Sequence, residues 1–224
     1  MRPFIKSFLK KFFPFFFWWL RRLRYENKVL PREFVRHVKR ISPFSLVIDV
    51  GANVGRVSEV LAHRGACVIS FEPNSYAFEQ LKGVALRYSN IQLRNEAAGI
   101  KNQKIELYLH KDMNYTNKDL TQASSLVSDK PNLSINNSEL VNEIDFAQFL
   151  KSLHDPVELI KIDIEGYEIQ LINHLLDENA IGNVKKFYVE THEQKMVDLV
   201  IPTNELKARI KTEGYEDKFF FDWH

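Results

Sequence analysis

Acidic and histidine side chains in this sequence stand directly after short apolar runs. These runs have the length and composition of buried parallel strands, whose carboxyl ends meet at one edge of a sheet. Ligands of open α/β sheets bind at that edge. The residues that the sequence places there are Asp49, Glu72, Glu96, Asp163, Glu165, Glu190 and His192. The sequence therefore predicts one ligand site assembled from five separate segments.

The segment at residues 49–55 has the glycine pattern of a loop that holds a ligand. It follows a strand and precedes a helix, so Gly51 and Gly55 would let a ligand approach the backbone at the helix N-terminus. A dinucleotide loop would require a third glycine where Arg56 stands, which disfavours a nicotinamide cofactor. Glu72 follows the second strand, where a carboxylate can accept both ribose hydroxyls. Together these features predict a cofactor that contains adenosine.

Apolar periodicity predicts that strands and helices alternate along the chain after Pro31. The predicted strands are residues 45–50, 67–71, 91–95, 105–109, 157–164, 184–189 and 215–221. The predicted helices are residues 32–40, 56–64, 146–153, 168–176 and 205–211, with another capped by Asn74 or Ser75. Residues 110–138 are polar and are predicted to form a long loop that contacts substrate. This order is typical of an α/β fold with a Rossmann-like, doubly wound, mostly parallel sheet and helices on both faces.

Six motifs together make the sequence resemble the FkbM-type methyltransferases, a branch of the Rossmann-like S-adenosylmethionine enzymes. They occur in the order found in that family and fall within residues 46–193. The motifs are IDVGANVG at residues 48–55, FEPN at 71–74, AAG at 97–99, SSL at 124–126, IKIDIEGYE at 160–168 and VETH at 189–192. Two features depart from the family pattern: the aromatic and basic N-terminal segment, and a single strand after the last helix where the broader fold closes with an antiparallel hairpin.

The resemblance implies that S-adenosylmethionine is the methyl donor and that an oxygen is methylated, often the hydroxyl of a sugar or another secondary metabolite. The acceptor would then be a small molecule or a glycan. The residues that the resemblance brings to the cofactor, from its methionine end through the ribose to the adenine, are Asp49, Gly51, Asn53, Gly55, Glu72, Glu96 and Ala97.

Asp163, Glu165, Glu190 and His192 form the predicted acceptor side of the active site. Methyl transfer to a hydroxyl requires removal of its proton as the oxygen attacks, and a carboxylate or an imidazole can take that proton. His192 is the preferred base, because an unperturbed imidazole has a pKa of about 6.5 and an exposed carboxylate is a weak base. The acids could instead cap the helices after their strands. An Asp, Glu and His set could also hold Mg²⁺ or Mn²⁺, and the spacing leaves a metal open.

The positive charge of the chain is concentrated at its N-terminus. Residues 1–24 contain seven basic side chains and no acidic one, namely Arg2, Lys6, Lys10, Lys11, Arg21, Arg22 and Arg24. The remaining 200 residues carry 24 basic and 29 acidic side chains, so the body of the protein is mildly acidic. This distribution argues against nucleic acid as a partner.

Residues 1–30 are predicted to be an extension of a single domain at residues 31–224. Over residues 4–13 the apolar side chains recur at helical spacing opposite lysines, which predicts an amphipathic helix. Pro14 interrupts this pattern, and an aromatic run follows. The extension therefore has an apolar surface that requires a partner.

The aromatic run, from Phe12 to Leu20, is too short to span a bilayer. Arg21 and Arg22 stand where a cleaved signal peptide would have small residues, so cleavage is not expected. Two interpretations remain. Residues 1–24 either lie on an anionic membrane surface or cap the domain.

Cys67 is the only cysteine, which excludes an intrachain disulfide and a cysteine-based zinc site. It favours a reducing, cytoplasmic location, at the inner membrane surface if residues 1–24 bind lipid. Two other functions stay open beside methyl transfer. One is a nicotinamide-dependent oxidoreductase on a similar fold, and the other is a membrane-associated binding module without catalysis.

Overall fold

A computed structural model of the 224-residue chain describes residues 11–110, 133–221 and 223. The strands are β1 (Leu46–Val50), β2 (Cys67–Phe71), β3 (Ile91–Arg94), β4 (Ala97–Gly99), β5 (Gln103–His110), β6 (Leu133–Asp145), β7 (Val157–Ile162), β8 (Phe187–Val189) and β9 (Phe219–Phe220). The α-helices are α1 (Pro14–Lys28), α2 (Arg32–Val38), α3 (Arg56–His63), α4 (Ser75–Ala85), α5 (Phe146–Lys151), α6 (Glu168–Asp177) and α7 (Val200–Thr212).

The main sheet is parallel, with its strands in the order β3, β2, β1, β7, β8 and β9. Along the chain, β2 and β3 are added on one side of β1, and β7 is later added on its other side. At this point Asp49 pairs with Lys161 and Val50 pairs with Ile162. In doubly wound sheets such a reversal of strand order opens a crevice at the carboxyl ends. The predicted Rossmann-like α/β fold is confirmed.

Helices cover both faces of this sheet because alternate residues of its strands point to opposite sides. In β1, Val47 packs with residues of α2 and α3 on one face. The next residue, Ile48, packs with residues of α5, α6 and α7 on the other face. Phe34 of α2 makes edge contacts with the rings of Tyr188 and Trp223, at centroid distances of 5.0 and 4.7 Å. The apolar pattern of the strands therefore predicted the layers of the domain correctly.

A second sheet, with the strand order β4, β6, β5, was not predicted as a sheet. The sequence predicted a polar loop over residues 110–138, but residues 133–138 belong to β6, so that part of the prediction is wrong. Strand β6 pairs antiparallel with β5, for example Leu107 with Glu139. Its polar residues gave no strand pattern, because the pairing with β5 is a contact with another segment of the chain. Residues 111–132, with the motif at 124–126, lie outside the described residues.

The C-terminal elements differ from the prediction in their bounds. Helix α7 begins at Val200 rather than at residue 205, directly after a 3-10 helix at Val197–Leu199. Pro202 fits into its first turn, where a proline costs no hydrogen bond. Strand β9 is shorter than the predicted 215–221, and it runs parallel to β8. The single final strand predicted from the sequence is therefore present, at the edge of the main sheet.

Helix α1 packs against the domain through buried side chains, namely Phe17, Arg22 and Glu26, and Glu26 forms an ion pair with Arg64 of the α3 C-terminus. Large aromatic side chains are exposed just before the helix and in its N-terminal part, namely Phe12, Phe13, Phe16 and Trp19, at 40 to 59% of their full exposure. Among the described residues, the helices are too short or too polar to cross a membrane. The predicted amphipathic helix at residues 4–13 falls almost entirely outside the described part of the chain.

Candidate active site

A cavity of about 430 Å³ opens at the carboxyl ends of β1, β2, β7 and β8. Its volume is typical of a site for a small molecule. Of the predicted site residues, those that line it are Gly51, Asn53, Glu72, Glu96, Ala97, Asp163, Glu165 and Glu190. Asp49, Gly55 and His192 do not line it. The five predicted segments thus meet at one place, although three of their residues stand behind the cavity wall.

The glycines of the loop at residues 49–55 are required by the packing of the protein. Gly51 has a φ of +76°, and a side chain there would overlap the backbone carbonyl of Asp163. Gly55 has a φ of +79°, and a Cβ there would lie 2.6 Å from a methyl group of Leu81 in α4. Both glycines therefore have a packing role, and Gly51 also lines the cavity. They let β1 approach β7 and let α3 approach α4.

A buried lysine holds the ends of β1 and β7 together. Lys161 Nζ donates to the carbonyl of Gly51 at 2.8 Å and lies 3.5 and 3.3 Å from carboxylate oxygens of Asp49 and Asp163. Burial lowers the pKa of Lys161, but these two carboxylates outweigh burial and raise the pKa above its usual value. The hydroxyl of Ser58 donates a hydrogen bond of 2.6 Å to the Asp49 carboxylate and fixes its position. Lys161 also lines the cavity, so it presents a positive charge to any ligand.

Glu72 lies at the cavity wall and ties the loop at residues 49–55 to β2. Its carboxylate accepts the backbone N–H of Asn53 at 2.7 Å and that of Asn74 at 2.8 Å. Burial raises the pKa of Glu72 to about 7, although these two hydrogen bonds favour the charged form. Asn74 also caps α4 by accepting from the N–H of Ala77, as the sequence predicted. The carboxylate is thus preorganised beside the loop, with lone pairs left for a ligand.

His192 lies at the centre of a cluster of carboxylates. Its Nδ1 contacts Glu168 at 3.0 Å, and both side chains are fully buried. Its Nε2 faces Glu165 at 3.5 Å, Asp163 at 3.7 Å and Glu190 at 3.8 Å. Of the five residues, Asp163, Glu165 and Glu190 line the cavity. The predicted acceptor residues therefore do converge, with the imidazole behind the carboxylates.

The surroundings of His192 contradict the simple argument for an imidazole base. Burial lowers the pKa of His192, but the carboxylates of Glu165 and Glu168 outweigh it and raise the pKa to about 10. The ring thus holds a proton near neutral pH unless a cation displaces it, whereas the prediction rests on an unperturbed pKa of about 6.5. The ring also has no surface on the cavity.

The backbone at Glu165 turns its carboxylate toward this cluster. Glu165 has a φ of +57°, a left-handed conformation that costs free energy in residues other than glycine, and Gly166 follows at +102°. Glu190 lies across from it at the end of β8, where burial and the negative charge of Asp163 raise its pKa. Lys195 approaches Glu190 at 3.5 Å from the cavity side.

Several residues of the site were not predicted from the sequence. Two of them could have been found from the sequence. Lys161 is a charged residue inside an apolar strand, and Glu168 is part of the motif at residues 160–168. Tyr25 of α1 and Trp223 near the C-terminus also line the cavity, without any sequence signal. The N-terminal extension is thus part of the site's wall, where the sequence had treated it as separate from the cofactor.

Comparisons with known proteins show what this chain is similar to. The family described as "Methyltransferase FkbM domain" matches residues 49–209, well over half of the chain. The chain is also similar to a crystal structure of precorrin 8W decarboxylase from Methanobacterium thermoautotrophicum, with 14% identity, a TM-score of 0.43, and coverage of 82% of this chain and 70% of that chain. A comparison with curated protein sequences gives no significant match. Of the function classes that the sequence left open, the family match selects a methyltransferase. The chain belongs to the FkbM methyltransferase family.

Proposed function

We propose that this protein transfers the methyl group of S-adenosylmethionine to a hydroxyl oxygen of a small molecule or glycan. The observation that carries the proposal is the composition of the cavity. The loop at residues 49–55 and Glu72 line the same cavity as the carboxylates of Asp163, Glu165 and Glu190. A cofactor and an acceptor can therefore meet within one space of ordinary ligand size.

The cofactor side suits an adenosine ligand with an amino-acid end. Glu72 offers carboxylate oxygens to the ribose hydroxyls, and Glu96 with Ala97 stands at the neighbouring strand end for the adenine. Lys161 offers a buried positive charge beside the loop, which suits the carboxylate of the methionine end. In this arrangement Asp49 and Gly55 act indirectly, since they shape the loop from behind.

The acceptor side suits a hydroxyl that must lose its proton. The base must reach that proton, and the imidazole of His192 has no surface on the cavity. A carboxylate on the wall is therefore the proton acceptor, and Glu190 is our assignment because it lines the cavity and its pKa is raised by burial and by the charge of Asp163, which makes it a stronger base. His192 then acts as a positioning residue that holds the carboxylates together.

The first test of this function is cofactor binding by the full-length chain. Native mass spectrometry of the purified protein should detect S-adenosylmethionine or S-adenosylhomocysteine, and calorimetry should measure binding of both. The matched variants are Glu72→Gln, which removes one charge at the wall, and Glu79→Gln, which removes one from the exposed face of α4. Weaker binding in the first variant alone supports the site, and absence of binding in the wild-type protein contradicts it.

The second test concerns the atom that is methylated. Extract fractions are incubated with the protein and a cofactor labelled in its methyl group, and the labelled product is isolated. A methyl ether releases the label as methyl iodide in hydriodic acid and keeps it in mild alkali, whereas a methyl ester loses it in alkali and an N-methyl group resists both. Retention through hydriodic acid would refute oxygen as the acceptor.

We also propose that residues 1–24 bind an anionic membrane surface. The support comes from the described part of this segment, where Phe12, Phe13, Phe16 and Trp19 are exposed just before α1 and in its N-terminal part, together with exposed Lys11 and Arg24. Aromatic rings favour the headgroup boundary, and cations there are attracted to anionic lipid. Phe17, Arg22 and Glu26 of α1 are buried against the domain at the same time, so anchoring and capping are compatible. The protein would then be peripheral at the inner membrane surface.

A further inference from the structure

We propose that Asp163, Glu165 and His192 bind a divalent cation, with Mn²⁺ as the best-fitting probe, at the acceptor side of the cavity. The cation would hold the acceptor hydroxyl and make its proton more acidic. This inference rests on the proposed methyl transfer for its purpose, but the cation site itself is defined by geometry alone.

The three side chains have the spacing of ligands to one ion. Each offers one atom, and these atoms all lie within 4.8 Å of one another. His192 Nε2 lies 3.5 Å from the Glu165 oxygen and 3.7 Å from the Asp163 oxygen. Ligands at about 2.1 Å from a cation are roughly 3 to 4 Å apart, so small side-chain rotations are sufficient to close the site. Because one ligand is an imidazole nitrogen, Mn²⁺ fits this set better than Mg²⁺.

The imidazole nitrogen that faces the cluster is buried and has no hydrogen-bond partner among the described residues. His192 is only 1% exposed, and its Nε2 points into the space between the carboxylates. Its other nitrogen, Nδ1, contacts the buried carboxylate of Glu168 at 3.0 Å. In metal sites a histidine commonly makes such a carboxylate contact through one nitrogen while the other nitrogen binds the ion. Glu168 therefore has the position of an outer residue that orients the histidine ligand.

The charges around this space favour a cation. The carboxylates of Asp163, Glu165, Glu168 and Glu190 surround one imidazole ring. The positive charge of Lys161 compensates part of this negative charge, but Lys161 also pairs with the carboxylate of Asp49. The alternative to a metal is that a protonated His192 serves as the internal cation of a purely structural cluster, and the experiment below must separate these two cases.

The cation would also explain how a carboxylate can act as the base. An alcohol is a very weak acid, and binding to a divalent ion makes its hydroxyl proton easier to remove. In the proposed step the O–H bond breaks and its proton passes to the Glu190 carboxylate, while the oxygen forms a bond to the methyl carbon. The S–CH₃ bond breaks with its electron pair remaining on sulfur, which becomes a neutral thioether. The cation is unchanged.

The test measures Mn²⁺ binding by the full-length protein after treatment with a chelator and its removal. Loss of the free Mn²⁺ signal in electron paramagnetic resonance reports binding without any need for cofactor or acceptor. We expect about one ion per chain. Asp163→Asn and Glu165→Gln should each weaken the affinity by at least about tenfold, and Glu168→Gln by roughly 10- to 100-fold. Glu79→Gln, on the exposed face of α4, is the matched control and should bind as the wild type does.

Two results would overturn the proposal. The first is wild-type protein that leaves the Mn²⁺ signal unchanged at concentrations up to the millimolar range. The second is binding that persists in both Asp163→Asn and Glu165→Gln when circular dichroism shows that the variants are folded.

Binding of S-adenosylhomocysteine is measured in parallel with the chelator present. A chain that binds this ligand but not Mn²⁺ contradicts the cation alone, whereas a chain that binds Mn²⁺ but not the ligand contradicts the proposed methyl transfer.

Discussion

Replacing Glu72 by glutamine tests the cofactor side of the cavity with an internal control. The carboxylate is buried at the wall and is held by the N–H groups of Asn53 and Asn74 at 2.7 and 2.8 Å. Glutamine keeps the shape but has one acceptor oxygen, so one of these N–H groups faces an amide NH₂ and the ribose loses a charged acceptor. A hydrogen bond to a charged group contributes about 1.5 to 3 kcal/mol. We therefore expect S-adenosylhomocysteine to bind roughly 10- to 150-fold more weakly.

The pH dependence of the same affinity gives a second, independent result. Burial raises the pKa of Glu72 to about 7 in the ligand-free protein. The ribose hydroxyls require the ionised carboxylate as acceptor, so binding expels a proton, and the affinity falls as the pH drops through this pKa. The wild-type protein should bind roughly tenfold more weakly at about pH 6 than at about pH 8. In Glu72→Gln this part of the pH dependence should disappear, since the amide does not titrate.

Isothermal titration calorimetry at several pH values measures both effects on the same samples. Thermal unfolding of each variant shows whether it is folded, and Glu79→Gln controls for the loss of one negative charge elsewhere. The reasoning is refuted if Glu72→Gln binds as tightly as the wild type, or if both proteins show the same dependence of affinity on pH.

Three further predictions concern the loop, the stability and the N-terminal helix. Gly51→Ala should abolish soluble folded protein, because its side chain would overlap a backbone carbonyl. Gly83 lies inside α4 with open space around it, so Gly83→Ala should raise the free energy of unfolding in urea by about 0.5 to 1 kcal/mol. Burial would raise the pKa of Asp145, but its contacts with His174 and with the α5 N-terminus outweigh burial and lower the pKa. The free energy of unfolding should therefore decrease as the pH falls from the ordinary carboxyl pKa through the lowered one, and this decrease should be smaller in Asp145→Ala. Trp19→Ser should reduce co-sedimentation with anionic vesicles at low salt; equal sedimentation, or wild-type protein that stays in the supernatant, contradicts membrane contact.

The sequence determined the position of the site along the chain. Apolar runs predicted the strands, and the rule that parallel strands end at one edge placed Glu72, Asp163 and Glu190 around one space. This inference needed no side-chain geometry, because strand direction follows from strand order and helical crossovers. In the structure these three residues line one cavity, and the family match confirms a methyltransferase.

Some residues have a physical role that the sequence did not show. A glycine beside a predicted ligand suggested space for that ligand, but at Gly51 a side chain would also overlap the backbone after β7. Polar residues over 133–138 suggested a loop, but hydrogen bonds to β5 make this segment a strand. In both cases the contact that determines the local structure is made with another segment of the chain, so no local sequence pattern shows it.

Only the tertiary structure decided which way each side chain faces and which charges surround it. His192 follows its strand as the sequence predicted, yet the left-handed turn at Glu165 and the buried contact with Glu168 place its ring behind the carboxylates. The same packing brings Tyr25 of the N-terminal helix to the cavity wall. The pKa of a group depends on burial and on charges within a few ångströms, and these neighbours are supplied by other elements. The sequence thus determined which strand ends meet, and packing determined what chemistry is available there.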